Sequence, residues 1–313
     1  MIEKLLNYKD KFQNILNSKS HAIVVKCEDE KFLEDFSTVF ALSMFCKKNI
    51  CLNCETCKKI LTKNCLDVIT YNKVLTVDDV ESIVDSVNVV PAENDYKLYI
   101  INNFDETSER VQNKILKTLE EPPRFVRFLL LTKNINSILP TVLSRCEKYT
   151  LPVFDNVELL YLLEGGKAYS LPIIENCKGM YGVALNYSNN ERFMETYELC
   201  YDLLKNMINS SKVLQYSSKI INNKDNLLLI VGLIQNALLD VVNLNCGLEN
   251  LVKNKSKIND LKLLSTIYNN ETCSQLIVDL DKIREKLKFN ANINLVVDKM
   301  LLNILEVKYK CKK

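Results

Sequence analysis

The chain is short of the residues that interrupt folded structure, and of the side chain most often used in acid–base catalysis. Its 313 residues include only six glycines, six prolines and one histidine. So little glycine and proline argues against long disordered linkers and suits a helix-rich globular protein. A chain of this length can form two or three domains, each with its own core. The single histidine, His21, leaves a catalytic cysteine little choice of a base.

The chain also lacks an excess of charge of one sign. Lysine and arginine total 41 against 39 acidic residues, a formal net charge of +2, so attraction of the whole molecule to nucleic acid is weak. The first residues show no secretory signal, and no window approaches the 18 or more uncharged apolar residues of a membrane span. We therefore expect a cytoplasmic protein with no membrane partner. In that compartment the twelve cysteines indicate metal binding before disulfides.

Glycine is missing after the first predicted strand, where a nucleotide-binding protein would need it to bind phosphate. Residues 21–27 form an apolar run typical of a buried strand, and Glu28-Asp29-Glu30-Lys31 follows. A phosphate-binding loop needs G-x-x-x-x-G-K-[ST] here, because glycines let backbone N–H groups surround the phosphate. After a later strand at 97–101, Asn102 and Asn103 stand where Mg²⁺ binding would require carboxylates. We predict that the chain neither binds nor hydrolyses ATP at a site of its own.

Apolar runs and helical periodicity alternate over the first half of the chain. The pattern predicts strands at 21–27, 66–71, 97–101, 127–132 and 146–151, with helices between them. Such alternation predicts a parallel, doubly wound α/β domain that ends near Pro152. The remaining periodicity is almost only helical, so the predicted fold class is α/β plus all-α.

Four cysteines lie within twelve residues: Cys46, Cys51, Cys54 and Cys57. This spacing lets one loop surround a tetrahedral ion, and four thiolates leave no position for water on Zn²⁺, which predicts a structural site. Zinc would replace the hydrophobic core that a loop this short cannot form. Unrelated surface thiols and a redox dithiol are the alternatives, and the fourth cysteine argues against the dithiol. Cys65 lies just beyond and is a possible competing ligand.

Several motifs together resemble the clamp-loader ATPases of bacterial DNA polymerase III. They are His21-Ala22, the cysteine cluster, VQNKILKTLEEPP at 111–123, LLT at 130–132 and LPTVLSRC at 139–146. The similarity is close over about 1–155. Gly179 and 182–184 resemble the sensor-2 region of the family, and 289–294 resembles the end of its C-terminal collar. Between 205 and 285 the similarity is diffuse.

The resemblance implies three domains. They are a RecA-like AAA+ domain at 1–155 with a zinc module at 46–65, a small helical lid at 156–208 and a helical collar at 209–313. The gap of four residues between Cys46 and Cys51 is shorter than is common in the family. Cys65 precedes Leu66-Asp67, where members commonly have a histidine before Pro-Asp. Zinc binding is still expected, with Cys65 as the residue that could compete.

Within this family, loss of the phosphate loop with a retained Ser144-Arg145-Cys146 is similar to the delta prime class and not to the ATP-hydrolysing gamma/tau class. The resemblance implies an accessory subunit without an active site of its own, in a ring with gamma/tau and delta subunits. That ring loads the sliding clamp on primer–template DNA. It also implies that Arg145 is an arginine finger for a neighbour's ATP, since a guanidinium stabilises charge on the transferring phosphoryl oxygens. An ordinary salt bridge is the alternative for Arg145.

The other residues of this edge are expected to support the arginine. Ser144 and Cys146 should shape the turn instead of reacting. The stretch formed by Glu120, Glu121, Pro122 and Pro123 is expected to be a rigid loop facing a subunit or DNA, or else a plain helix end. Two other functions stay open at this point: an ATP-binding gamma/tau-like subunit with a degenerate nucleotide site, and a zinc-dependent nucleic-acid-binding module unrelated to clamp loaders.

Overall fold

A five-stranded parallel sheet organises the first part of the computed structural model, which describes residues 2–163, 171–207, 209–288 and 291–310. The strands are β1 (Ala22–Lys26), β2 (Val68–Tyr71), β3 (Lys97–Ile101), β4 (Val126–Thr132) and β5 (Glu147–Thr150). Their order in the sheet is β2-β3-β4-β1-β5, and every pair is parallel. Val24 of β1 lies opposite Leu130 of β4 and Lys148 of β5.

Helices connect these strands, as parallel pairing requires. The helices up to the end of this region are α1 (Ile2–Leu6), α2 (Gln13–Leu16), α3 (Glu30–Phe45), α4 (Glu55–Leu61), α5 (Val77–Val87), α6 (Glu109–Glu120), α7 (Pro140–Leu143) and α8 (Asn156–Leu163). The later helices are α9 (Leu171–Asn176), α10 (Tyr181–Asn189), α11 (Phe193–Asn206), α12 (Ser210–Ile221), α13 (Leu227–Asn245), α14 (Ile258–Ile267), α15 (Asn270–Lys288) and α16 (Ile293–Lys310).

Both faces of the sheet are buried. Alternate residues of a strand point to opposite faces. Val24 belongs to the core formed with α5 and α6, where Ile83 and Ile115 are fully buried. Its neighbours Ile23 and Val25, on the other face, are 2 % and 0 % exposed. The predicted doubly wound α/β domain is therefore confirmed, followed by the predicted helical region.

Local signals explain where the helices begin and end. The hydroxyl of Thr76 accepts the N–H of Asp79, and the Asp79 carboxylate accepts the N–H of Thr76, a capping box that starts α5. Helix α6 ends at Glu120, two residues before Pro122. Strand β2 begins at Val68 and not at Leu66, which is 67 % exposed. The predicted start of this strand was therefore two residues too early.

The chain divides into two compact units. The first comprises Met1–Leu162 with Gly179–Val183, and the second comprises Leu163–Lys178 with Ala184–Lys313. The predicted domain limits, 155/156 and 208/209, stay predictions. Ile208, and Phe289 with Asn290 of the collar motif, lie outside the described residues.

Helix α13 corrects one expectation from the sequence. The segment Lys224–Asn245 is long and apolar enough to cross a membrane, although no such run was expected. However, 67 % of its most apolar window is buried inside the protein. The helix also carries buried polar groups with internal partners: Asp240 accepts the N–H groups of Lys253 and Asn254, both at 2.9 Å. These features are those of a buried core helix.

Candidate functional site

The four clustered cysteines converge at the junction of α3 and α4. Cys46 is the C-terminal cap of α3, and Cys54 is the N-terminal cap of α4. The Sγ atoms of Cys46, Cys51, Cys54 and Cys57 all lie within 4.8 Å of one another. Cys46 Sγ is 3.7 Å from Cys51 Sγ and 4.0 Å from Cys54 Sγ. Tetrahedral thiolates at about 2.3 Å from Zn²⁺ would be about 3.8 Å apart, so the four sulfurs fit this ion.

The backbone around the cluster is arranged for thiolates. The N–H groups of Cys51, Cys54 and Cys57 donate to the sulfurs of Cys46, Cys51 and Cys54 respectively, at 3.3–3.4 Å. Donation from the N–H groups of Asn53 and Cys54 lowers the pKa of Cys51 to about 6. A thiolate is the form that binds a metal. Zinc, when bound, would close this centre with four protein ligands and leave no open position for chemistry.

The loop before α4 adopts a conformation that needs a compensating interaction. Asn49, Ile50 and Leu52 have φ values of 53°, 59° and 59°. Positive φ is unfavourable for non-glycine residues, most of all for the β-branched Ile50. Metal–sulfur bonds would supply the compensation. Cys65 is not part of this four-sulfur group: it is buried, and its sulfur accepts from the side-chain amide of Asn94 at 3.7 Å.

The sequence lacks a phosphate-binding loop after β1. At the position where such a loop would hold phosphate, at the N-terminus of α3, lies the carboxylate of Asp29. Asp29 caps α3 and accepts the N–H of Phe32 at 3.1 Å. Its second oxygen accepts the N–H of Gly182 at 2.7 Å. Asp29 is only 5 % exposed, and burial raises the pKa of its carboxyl. A helix N-terminus favours an anion, and here Asp29 is that anion.

Gly182 approaches this carboxylate more closely than any other residue type could. A Cβ atom at position 182 would lie 2.3 Å from Asp29 Oδ1 and 2.5 Å from Lys31 Cβ. Lys31, the only basic residue of the segment, bonds within α3 to Asp35 at 2.8 Å and to Glu34 at 3.0 Å. Its ammonium group is thus engaged by carboxylates of its own helix.

The ends of β3 and β4 carry amides and a hydroxyl. Asn102 donates from its side chain to that of Asn72 at 2.9 Å. Asn103 has a left-handed backbone (φ 51°) and leads into the turn of Asp105, whose carboxylate accepts the N–H of Asn134 at 3.0 Å. Thr132, the last residue of the LLT motif, is 1 % exposed and its hydroxyl accepts that same N–H at 3.1 Å. The side chains of Asn102, Asp105 and Thr132 therefore all have partners within the chain.

Arg145 lies just after α7 and bonds back into its own chain. Its Nη1 donates to the carbonyl of Thr141 at 2.6 Å and to the hydroxyl of Ser144 at 3.3 Å. Its Nη2 forms an ion pair with Glu120, the last residue of α6. Glu121, the next residue, is exposed. The predicted edge residues Glu120, Ser144 and Arg145 are therefore brought together.

The other residues of this edge have structural contacts. Cys146 is 9 % exposed, and burial raises the pKa of its thiol to about 12, so it is not a nucleophile near neutral pH. Ser144 donates to the carbonyl of Thr141 at 3.0 Å. Pro123 accepts the N–H of Val126 at 2.8 Å as the chain turns into β4. His21 bonds to the carbonyl of Leu119 at 2.9 Å and ties β1 to α6.

Two functional contacts were not foreseen from the sequence. Asp29 carries the ordinary signal of a helix cap, an acidic residue just before an apolar periodic segment. Its bond to Gly182 has no such signal, because the two residues are 153 positions apart. The pairing of Glu120 with Arg145 crosses 25 positions and likewise follows from the fold alone.

Comparison with known proteins finds relatives of the first unit. Residues 6–155 match the family model described as DNA polymerase III, delta subunit. The DNA polymerase III subunit gamma of Buchnera aphidicola is 33 % identical over 132 residues, 40 % of this chain and 37 % of that relative. Residues 6–155 are therefore similar to this family and to gamma and tau subunits of DNA polymerase III. The subunit tau of Bacillus subtilis is 32 % identical over 145 residues, 44 % of this chain and 26 % of that relative.

The likeness in fold extends beyond this domain. The crystal structure of a DNA polymerase III gamma subunit-related protein from Thermotoga maritima has a TM-score of 0.50 and 19 % identity, covering 96 % of this chain and 99 % of that one. A likeness at this identity shows a shared fold. The matched segment spans less than two fifths of the length of the curated relatives, for example 37 % and 18 %. The resemblance to clamp loaders is therefore confirmed, and these relatives carry the names gamma and tau.

Proposed function

We propose that this chain is a clamp-loader subunit of the delta prime type, which does not hydrolyse ATP and supplies Arg145 to the ATP site of a neighbouring gamma/tau subunit. Its partners would be gamma/tau and delta subunits and, through that complex, the sliding clamp and primer–template DNA in the cytoplasm. The four clustered cysteines would hold one structural Zn²⁺. The loop Glu120–Pro123 and the segment Ser144–Cys146 would face the neighbouring subunit.

The observation that carries this proposal is the carboxylate of Asp29 at the N-terminus of α3. A triphosphate bound after β1 would need the N–H groups and the positive end of this helix. The Asp29 carboxylate already receives two N–H groups there, 3.1 Å from Phe32 N and 2.7 Å from Gly182 N. A second anion at this place would be repelled by a charge in a poorly solvated position.

The state of Arg145 supports the second half of the proposal. Its side chain is 29 % exposed, so it is not fully enclosed by its own chain. Arginine keeps its charge in any such setting and suits phosphate geometry. A fixed cation beside a transferring phosphoryl group stabilises the transition state.

Nucleotide binding by the isolated chain tests the first half. A ligand that binds the folded state stabilises it by RT ln(1 + [L]/Kd). We expect ATP–Mg²⁺ up to millimolar concentration to leave the thermal unfolding midpoint unchanged. A saturable rise would instead support the alternative of an ATP-binding gamma/tau-like subunit, which the names of the relatives favour.

Reconstitution with gamma/tau and delta subunits tests the second half. We expect Arg145→Ala to leave assembly intact and to lower the clamp- and DNA-stimulated ATP turnover severalfold. Arg110→Ala is the matched control, because Arg110 is exposed near the start of α6. Equal turnover of the Arg145→Ala and Arg110→Ala complexes would refute the arginine-finger role.

A further inference from the structure

The guanidinium of Arg145 is already committed inside this chain. Of its five N–H groups, the two on Nη1 are used by Thr141 and Ser144, and one on Nη2 is used by Glu120. The Nε atom is buried and has no hydrogen-bond partner among the described residues. A phosphate binds an arginine best through two adjacent N–H groups. In this arrangement no adjacent accessible pair is available to it.

Of these contacts, the ion pair with Glu120 is the one that can be exchanged most easily. The Thr141 acceptor is a backbone carbonyl that α7 fixes in place beside Arg145. The Glu120 side chain is 49 % exposed, so its carboxylate can return to water when the pair opens. Exposed pairs of this kind shift an equilibrium by only about two- to fivefold. A phosphate oxygen, with its greater charge, can replace such a carboxylate.

We propose that Glu120 is a restraining residue for Arg145: its carboxylate occupies the guanidinium in the free chain and is displaced by the phosphate of the neighbouring subunit's ATP. This inference rests on the proposed function and adds how the engagement of Arg145 is regulated. In the free chain the pair neutralises the arginine. In the complex the same pair competes with ATP, so that Arg145 engages only when the neighbour presents a phosphate.

The chain provides a matched control for this residue. Glu121 has the same side chain, follows Glu120 directly and is exposed at the end of α6. The ion pair of Arg145 is with Glu120. Glu120→Gln and Glu121→Gln therefore make the same chemical change, and only the first removes the charge that holds Arg145.

The test is a double-mutant cycle in the reconstituted complex. We expect Glu120→Gln to raise kcat/KM for ATP about two- to fivefold, whereas Glu121→Gln leaves it unchanged. In the Arg145→Ala background, adding Glu120→Gln should change nothing, since residues that act through one another are not additive. A residue with a merely structural role would lower the activity instead of raising it.

Each other outcome counts against the inference. A loss or no change in kcat/KM with Glu120→Gln, or a gain that persists without Arg145, overturns the restraining role alone. If Arg145→Ala itself leaves ATP turnover unchanged, the arginine-finger role is wrong, and the restraining role of Glu120 is wrong with it.

A measurement on the isolated chain tests whether the ion pair between Glu120 and Arg145 forms, independently of any effect on ATP turnover. We expect ¹⁵N NMR to show slower rotation of the Arg145 guanidinium than of the exposed Arg110, and Glu120→Gln to reduce the difference, because the contacts with Thr141 and Ser144 remain. If Arg145 rotates as freely as Arg110 in the wild-type chain, the resting pair does not form and the inference is wrong.

Discussion

At the scale of single residues, two carboxylates of the chain occupy positions that would otherwise attract a phosphate. Asp29 takes the N-terminus of α3, and Glu120 takes the guanidinium of Arg145. The two differ in permanence. Asp29 is buried and receives backbone N–H groups, whereas Glu120 is half exposed and holds a side chain. Asp29 therefore blocks an anion at the N-terminus of α3, whereas the Glu120 carboxylate can be displaced from Arg145.

The close approach of Gly182 to Asp29 gives a prediction about stability. Gly182→Ala would place a methyl group 2.3 Å from Asp29 Oδ1 and 2.5 Å from Lys31 Cβ. The Lys31 Cβ is fixed by α3, so the backbone must move and the hydrogen bond from residue 182 to Asp29 must lengthen. Overpacking of this kind costs about 1–3 kcal/mol. We expect a lower thermal unfolding midpoint by calorimetry.

Gly232 in α13 provides the control for this substitution. A Cβ there would meet only Arg284 Nη2, at 3.7 Å, an ordinary contact. Alanine also stabilises a helix interior by about 0.5–1 kcal/mol relative to glycine. Gly232→Ala should therefore leave the midpoint unchanged or raise it. If Gly182→Ala behaves like Gly232→Ala, Gly182 does not pack against Asp29 and Lys31 as closely as the structure indicates.

At the scale of elements, the central strands β1, β3 and β4 could be predicted because their sequences are largely apolar on both faces. The run 97–101 became β3 with the same bounds, and every residue in it is buried. The start of β2 could not be predicted, because the apolar Leu66 before it suggests a strand that begins two residues earlier than it does. Asp67 uses its carboxylate to accept the N–H groups of Ala92 and Glu93, a contact that sequence periodicity does not contain.

Contacts between elements are the part of the site that local patterns do not encode. The convergence of the four cysteines could be predicted because all four lie within twelve residues, so spacing alone determines whether they can meet. The acceptor of the Gly182 N–H is set instead by how distant segments of the first unit fold together. The partner of Arg145 depends on the end of α6 meeting the segment after α7.

The α3–α4 junction gives a prediction at this scale. Purified chain should contain about one zinc, and Cys54→Ser should lose it, because Cys54 is both a ligand and the cap of α4. Without zinc, the positive φ of Ile50 and Leu52 has no compensation. We expect fast amide hydrogen exchange over 46–65 in this variant, together with loss of metal by elemental analysis.

Cys65→Ser is the matched control for this experiment. Its sulfur lies outside the four-sulfur group and contacts Asn94. The variant should keep its zinc and its protection over 46–65. Loss of zinc from Cys65→Ser with retention in Cys54→Ser would show that the wrong four cysteines have been assigned.

At the scale of the whole molecule, burial and charge bear on what the chain could bind by itself. Helix α13 is apolar enough for a membrane, yet it is mostly buried in the second unit and holds the buried carboxylate of Asp240. The net charge of +2 gives no long-range attraction to a polyanion. Recognition of DNA would then belong to the assembled complex and not to this chain alone.

DNA affinity of the isolated chain tests this view and the alternative of a zinc-dependent nucleic-acid-binding module. Binding that neutralises many phosphates weakens steeply with salt, while non-specific contacts give a Kd of about 10⁻⁴–10⁻⁶ M at physiological salt. Several lysines near the zinc module are already paired, such as Lys59 with Glu93 and Lys63 with Glu34. We expect anisotropy of labelled primer–template DNA to show a Kd no tighter than about 10⁻⁴ M. Micromolar binding that is lost both at 200 mM salt and in Cys54→Ser would instead make the zinc module the DNA-binding site.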